Sequence, residues 1–192
     1  MANAVQKRLS DLTLRDVTVI FRNFNGAEKP FNPAGQRNFS ILVDPASAAD
    51  MLNDGWNIKH MKPREGDDPN EPLQAHLPVK VNFKGRPPSI VMVTSKGKTP
   101  LTEDMVGALD YVVFEKADLT INPYRWDVSG KQGITAYCKT LYVTIQEDPL
   151  DLEYADVPEL DVNGNVLAIE GGGFSGEFED LGELERQYEI EA

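Results

Sequence analysis

"YVVFEKADLTINPYRW" (residues 111–126) and "GITAYCKTLYVTIQ" (residues 133–146) alternate in character along their length and are joined through "DVSGKQ". That alternation has the period of strands half buried in a sheet, and the polar Ser-Gly link between them makes them a long hairpin. Ile134, Ala136, Cys138 and Thr140 are expected on one face, and Tyr137, Lys139, Leu141 and Val143 on the other. Tyr124, Arg125 and Trp126 stand just before the turn, two large rings around a cation.

Working outward, the chain upstream also reads as β. "LRDVTVIFRNF" (14–24) alternates, with Val17, Val19 and Phe21 on one side and Thr18, Ile20 and Arg22 on the other. "RNFSILVD" (37–44) places Phe39, Ile41 and Val43 together, and "VKVNFK" (79–84) and "SIVMVTS" (89–95) flank a "GRPP" turn. Asp44 as a cap, Pro45 at the first helical position and Gly55 past the end mark a short helix. Thr99 as a cap with Pro100 behind it predicts a second helix toward Asp110. The connector 62–78 is broken by Pro63, Pro69, Pro72 and Pro78 and is expected to be irregular. Strands in an early and a late group with short helices between them point to a mainly β fold, an OB-fold-like five-stranded Greek-key barrel.

Charge divides the chain in two. The net charge is −12, but residues 1–145 hold 18 Lys and Arg against 16 Asp and Glu, whereas residues 146–192 hold Arg186 alone against 15 acids. A mildly basic body, residues 1–148, is therefore expected to carry an acidic, glycine-containing tail, residues 149–192, too poor in apolar residues to build a core and so disordered. The 192 residues suffice for one core with an appendage. No run of about 18 apolar residues exists to span a membrane. A single cysteine, Cys138, fits a reducing, cytoplasmic setting.

Motifs for catalysis fail on inspection. "GFSGE" has Glu177 where a nucleophile elbow needs glycine, and "DVNGNV" lacks the Glu that closes an EF-hand loop. There is no P-loop or GxGxxG, and only His60 and His76 join the one cysteine as soft metal ligands. No enzyme, cofactor or metal is expected; a nuclease using Asp110, Glu115 or Asp118 is a remote alternative to their reading as solvated strand ends.

What recurs instead is aromatic residues interleaved with basic ones. Arg22 and Phe24 end the first strand, Arg37 begins the second, and Trp56 and Lys59 follow the helix. Lys80, Lys84 and Arg86 lie along a strand and its turn, and Tyr124, Arg125, Trp126, Lys131, Tyr137 and Lys139 cluster around the last hairpin. Unstacked bases present π-faces to rings and phosphates to cations, so this mixture suits single-stranded nucleic acid without reading its sequence. A packing role competes at several positions. Phe21 and Phe39 are expected in the core, Trp56 fits a plug at a barrel end, and one of Tyr137 and Tyr142 is expected to be buried because they point to opposite faces.

"ADLTINPYRWDVSGKQGITAYCKTLYVTI" and "LTLRDVTVIFRNFNGAEKPF" resemble the closing hairpin and first strand of phage-encoded single-stranded-DNA-binding proteins, which have an OB-fold and an acidic C-terminal tail. The resemblance spans roughly residues 11–146 in element order. It implies coating of exposed single strands during phage DNA replication and recombination, in the host cytoplasm, with the tail recruiting replication proteins and competing for the DNA groove. Tyr124, Arg125, Trp126 and Lys131 would line that groove from the hairpin, with Arg22 and Phe24 approaching from the first strand. Phe178, Leu181, Leu184, Tyr188 and Ile190 would be the tail's partner contacts. The chain departs from the family in ending "QYEIEA", with its last ring set back from the terminus. The alternative is an acidic interaction protein, a virion component or DNA mimic, without DNA affinity.

Overall fold

The chain divides into two units, Met1–Asp148 and Pro149–Ala192, and a computed structural model describes residues 9–30, 32–63, 73–154 and 156–157. In chain order the first unit holds β1 (Leu12–Leu14), β2 (Val19–Asn23), β3 (Arg37–Val43), α1 (Pro45–Asn53), β4 (Lys59–His60) and β5 (Ala75–Val81). There follow β6 (Ser89–Thr94), β7 (Gly97–Leu101), a 3-10 turn at Val106–Asp110, β8 (Phe114–Val128) and β9 (Lys131–Ile145). In the second unit α2 (Pro149–Glu153) is described; the expected disorder of the tail and its apolar residues Phe178, Leu181, Leu184, Tyr188 and Ile190 lie outside the described residues.

The sheet runs β1-β8-β9-β5-β3-β2. Its two end strands are successive stretches of one chain segment. Between them Val17 donates its N–H to the Ala117 carbonyl of β8 (2.8 Å), and Thr18 accepts from Leu42 of β3 (3.0 Å). The path therefore closes on itself, and five chain segments, 12–23, 37–43, 75–81, 131–145 and 114–128, make the expected Greek-key, OB-fold-like barrel. The β5–β9 pairing, Val79 opposite Ala136, is parallel, and so is the β6–β9 pairing, Ser89 opposite Thr140. The β6–β7 hairpin continues that edge of β9 from Thr140 onward. Phe39, Ile41, Leu77, Val79, Leu119, Ile121, Leu141 and Val143 fill the interior, with Val106 and Leu109 of the 3-10 turn packed among them.

Several local expectations hold for local reasons. Asp44 caps α1 by accepting from the Ser47 N–H at 2.9 Å, with Pro45 behind it. Hydrogen bonding to the Ser47 side chain, and next to its N–H, holds the Asp44 carboxyl below its ordinary range. The β8–β9 hairpin turns on Ser129 and Gly130, whose φ values of 53° and 78° match the strand twist. Both strands reach closer to the turn than expected, so the triplet 124–126 lies within β8 and not at its tip.

Other expectations give way to tertiary pairing. The single strand over 14–24 is two, broken at Asp16 with φ 52°, where Asp118 accepts from the Asp16 N–H (3.0 Å). No helix covers 99–105: Thr99 and Pro100 belong to the edge strand β7, and only Val106–Asp110 coils, as a 3-10 turn. The strand placed at 79–84 begins at Ala75 and ends at Val81, with Pro78 inside it opposite Ser40.

The face assignments change most. In β9, Ile121 of β8 faces Cys138 while Thr120 faces Thr140, so Lys139 is a bulged residue. Ile134, Ala136 and Cys138 are buried before it, Leu141 and Val143 after it; Tyr137 does not share their side. Neither Tyr137 nor Tyr142 is buried. A second bulge, between Ile20 and Asn23 of β2, gives Phe21 a φ of 50° and turns its ring out, 60% exposed, where the core was expected. A bulky residue in that backbone region costs about 1 to 3 kcal/mol.

Candidate nucleic-acid interface

Strand alternation builds the site. In β5, Ala75, Leu77, Val79 and Val81 point into the barrel, leaving His76, Pro78 and Lys80 on the outside beside the outer residues of β3. Asn38 stands opposite Lys80, and Lys80 opposite Tyr137. A groove of about 920 Å³ runs over this face, bounded by the loop between β2 and β3. Its basic lining residues are Lys29, Arg37, Lys59, Lys80 and Lys84, and among the described residues no Asp or Glu lines it. A chain with net charge −12 thus presents a cleft whose described charges are all cationic, the arrangement that concentrates an anionic ligand. In OB-folds the outer face of the second and third barrel strands, here β3 and β5, is where oligonucleotides lie.

The groove walls are held before any ligand arrives. Asp110 accepts from the Phe24 N–H (2.8 Å) and the Asn25 N–H (2.9 Å), and Asn23 donates to the Ala27 and Gln36 carbonyls. Asn38 donates to Asn32 Oδ1 at 2.6 Å, tying the loop to β3. Arg37 is partly engaged, donating to Glu103 (2.7 Å) with its guanidinium 5.6 Å from the Phe83 ring. Lys80 Nζ sits 6.0 Å from the Tyr137 ring. Among the described residues no carboxylate pairs with Lys59, Lys80 or Lys84.

Tyr137 leads from the groove onto the hairpin. Residues opposite one another share a face, so Tyr124, opposite Thr135, and Trp126, opposite Gly133, lie on the same outer side as Tyr137, opposite Asn122. Tyr124 is 58% exposed and meets Tyr137 edge to face, centroids 6.1 Å apart. Arg125 faces the other way with its neighbours Pro123 and Ile134, toward Asp54 and Gly55 after α1. The triplet is therefore two rings on one face and a cation on the opposite one. Lys131 is exposed beside the turn.

The remaining candidates lie elsewhere. Phe24 is fully buried, stacked on Phe39 at 5.2 Å and 24°, where no base can reach it. Arg22 donates to the Leu109 (2.9 Å) and Val112 (2.6 Å) carbonyls with its guanidinium over the Phe114 ring, stitching β2 to the 3-10 turn. Trp56 is half-buried against the core, its backbone bridged to Ile134. Lys139, on its bulge, pairs with Asp11. Arg86 is exposed in the turn after β5. Asp110 and Asp118 both spend their carboxylates on backbone N–H groups. The Asp16 N–H above all, with Arg15 and Lys116, holds the Asp118 carboxyl below its ordinary range.

Sequence reasoning missed Phe21, His76, Lys29, Asn38 and Pro78 as groove residues. The alternation of "AHLPVKV" would have found His76 and Pro78 had β5 been started at Ala75. Burial, then the charges of Lys59 and His60, push the His76 imidazole below its ordinary pKa.

A family model described as a putative phage ssDNA-binding domain matches residues 1–192. Among solved structures, the single-stranded DNA-binding protein of bacteriophage Enc34, as a C-terminal truncation, aligns at 11% identity and TM-score 0.46, covering 72% of this chain and 87% of that one. The same phage's protein in complex with ssDNA aligns at 10% identity and TM-score 0.46, covering 72% and 88%. Gp2.5, a single-stranded DNA-binding protein encoded by bacteriophage T7, aligns at 12% identity and TM-score 0.34, covering 83% and 99%. No curated protein matches the chain.

Proposed function

This chain belongs to the phage single-stranded-DNA-binding domain family, and we propose that it coats single strands, without reading their sequence, through the groove on β3 and β5 during phage DNA replication and recombination. The observation that carries this reading is a groove on the outer face of those strands whose lining, among the described residues, has five Lys and Arg side chains and no acidic one. Lys59, Lys80, Lys84 and, once released from Glu103, Arg37 meet phosphates. Tyr137, Tyr124 and Trp126 take successive bases on their exposed faces, and Lys131 and Arg86 extend the cationic track at its ends. Each stacked base contributes about 1 to 3 kcal/mol, and each neutralised phosphate adds about 0.7 to the salt slope of a single-strand complex.

The acidic segment, residues 149–192, acts as a tethered competitor for the groove and as the recruiting element for replication proteins, through Phe178, Leu181, Leu184, Tyr188 and Ile190. Its excess of acids, held at high effective concentration, opposes the cations of the body. The setting is the cytoplasm of the host cell.

Fluorescence-anisotropy titration of labelled oligo-dT, at two salt concentrations and against matched duplex, tests the reading. The full chain is expected to bind the single strand in a salt-sensitive way and duplex more weakly, and a body ending at Asp148 to bind more tightly at low salt. Equal affinities of the two forms would remove the competitor role. Absence of binding by both would instead support the acidic interaction protein.

A further inference from the structure

Phe21 presents a ring that the proposed stacking residues leave out. Its backbone sits at φ 50° on the β2 bulge, a conformation that bulky side chains rarely take and that gathers at ligand sites. The result is a phenyl ring 60% exposed in the wall of a cationic groove. His76 braces it edge to face, centroids 5.2 Å apart and planes at 67°, a contact that covers at most one face of the Phe21 ring. His76 is itself nine-tenths buried, and its Nδ1 has no hydrogen-bond partner among the described residues, a polar atom left incomplete at the floor of the groove. Lys59 stands opposite His76 across β4 and β5, with no carboxylate paired to it among the described residues.

The same association of ring and lysine recurs at the other end of the groove, where Lys80 lies against Tyr137. His76 and Lys80 are four residues apart on β5, which at the strand rise separates the two stations by about 13 Å. We infer that Phe21 is a base-stacking platform, the centre of a second nucleotide station in which Lys59 takes the adjoining phosphate, so that one single strand spans both ends of the groove. The inference rests on the single-strand-binding reading and deepens it. An isolated ring among cations and amides suits a base, which needs one apolar face and a nearby positive charge, better than a protein partner, which needs a broad apolar patch.

Oligo-dT titration of the full chain tests it. Phe21→Ala is expected to weaken binding about 5- to 140-fold, the equivalent of one stacked base. Phe21→Trp is expected to retain affinity and to add emission that is quenched on binding. On an abasic phosphodiester strand, wild type and Phe21→Ala are expected to bind alike, since that ligand has no base to stack. If Phe21→Ala binds oligo-dT like wild type while Lys80→Ala weakens it, the Phe21 station is overturned and the groove reading stands. An equal loss on the abasic strand also overturns the station, because the ring would then act only through the fold. No binding by the wild-type chain overturns both.

Discussion

The indole of Trp126 lies across Gly133 on the neighbouring strand so closely that a Cβ there would stand 2.8 Å from Trp126 Cζ2 and 3.1 Å from Cε2. The missing side chain is what lets the ring lie flat along the outer face of the hairpin, in line with Tyr124 and Tyr137. Gly133→Ala is therefore expected to lift the indole off the strand and shift its emission to longer wavelength, read as the difference from a Trp126→Phe variant. The cost is set at about 1 kcal/mol, the low end for overpacking, because the half-buried ring can swing outward. Unchanged emission would mean that the ring does not depend on the glycine.

Substitutions of Lys80 and Lys84 test the proposed phosphate contacts. Lys80→Ala and Lys84→Ala are each expected to weaken binding of all single-stranded sequences alike and to reduce the slope of log K against log salt by about 0.7. The measurement is affinity for oligo-dT and a mixed-sequence oligomer across a salt series. A loss confined to one sequence would show that the lysine reads a base.

Phe24 tests the division between core and groove. Fully buried and stacked on Phe39, it is expected on truncation to alanine to cost about 3 to 5 kcal/mol in denaturant unfolding. Below the unfolding transition the affinity of the folded fraction should be unchanged, in contrast to Phe21→Ala.

His76 makes stability depend on pH near neutrality. Burial, together with Lys59 and His60, lowers its folded pKa below the value near 6.5 of the unfolded chain. The unfolded state then takes up its proton first. Stability is accordingly full above about pH 6.5 and declines as pH falls through that value toward the folded pKa. The melting temperature of wild type should fall relative to that of His76→Gln as pH falls through this window, because only wild type loses stability to the imidazole. Parallel curves would show that His76 does not titrate against burial.

How far the chain could be read from its residues differs element by element. The β8–β9 hairpin and α1 were legible because their signals are local: alternation, a Ser-Gly turn, an Asp-Pro start. Thr99 and Pro100 carried the same kind of helix signal, yet pairing of β7 along β6 outweighed it. Of the candidate groove residues, Arg37, Lys59, Lys80, Lys84 and Tyr137 line the cleft, whereas Arg22 lies within the β2 bulge and Phe24 just past it, and both face inward contacts.

Composition and period by themselves determined a mainly β body, a separate acidic segment, and a mixture of rings and cations suited to single strands. Those properties sum over many residues, and no single misplacement disturbs them. Only the tertiary structure decided which side chains face the groove. A strand has a period of two, so one bulged residue, Phe21 with Arg22 in β2 or Lys139 in β9, exchanges the faces of everything beyond it. Whether a bulge forms depends on a partner strand distant in sequence, Arg37–Val43 for the first and Phe114–Val128 for the second. The closed path of the barrel, which brings those partners together, is the physical reason that Phe24 is core and Phe21 stands in the groove.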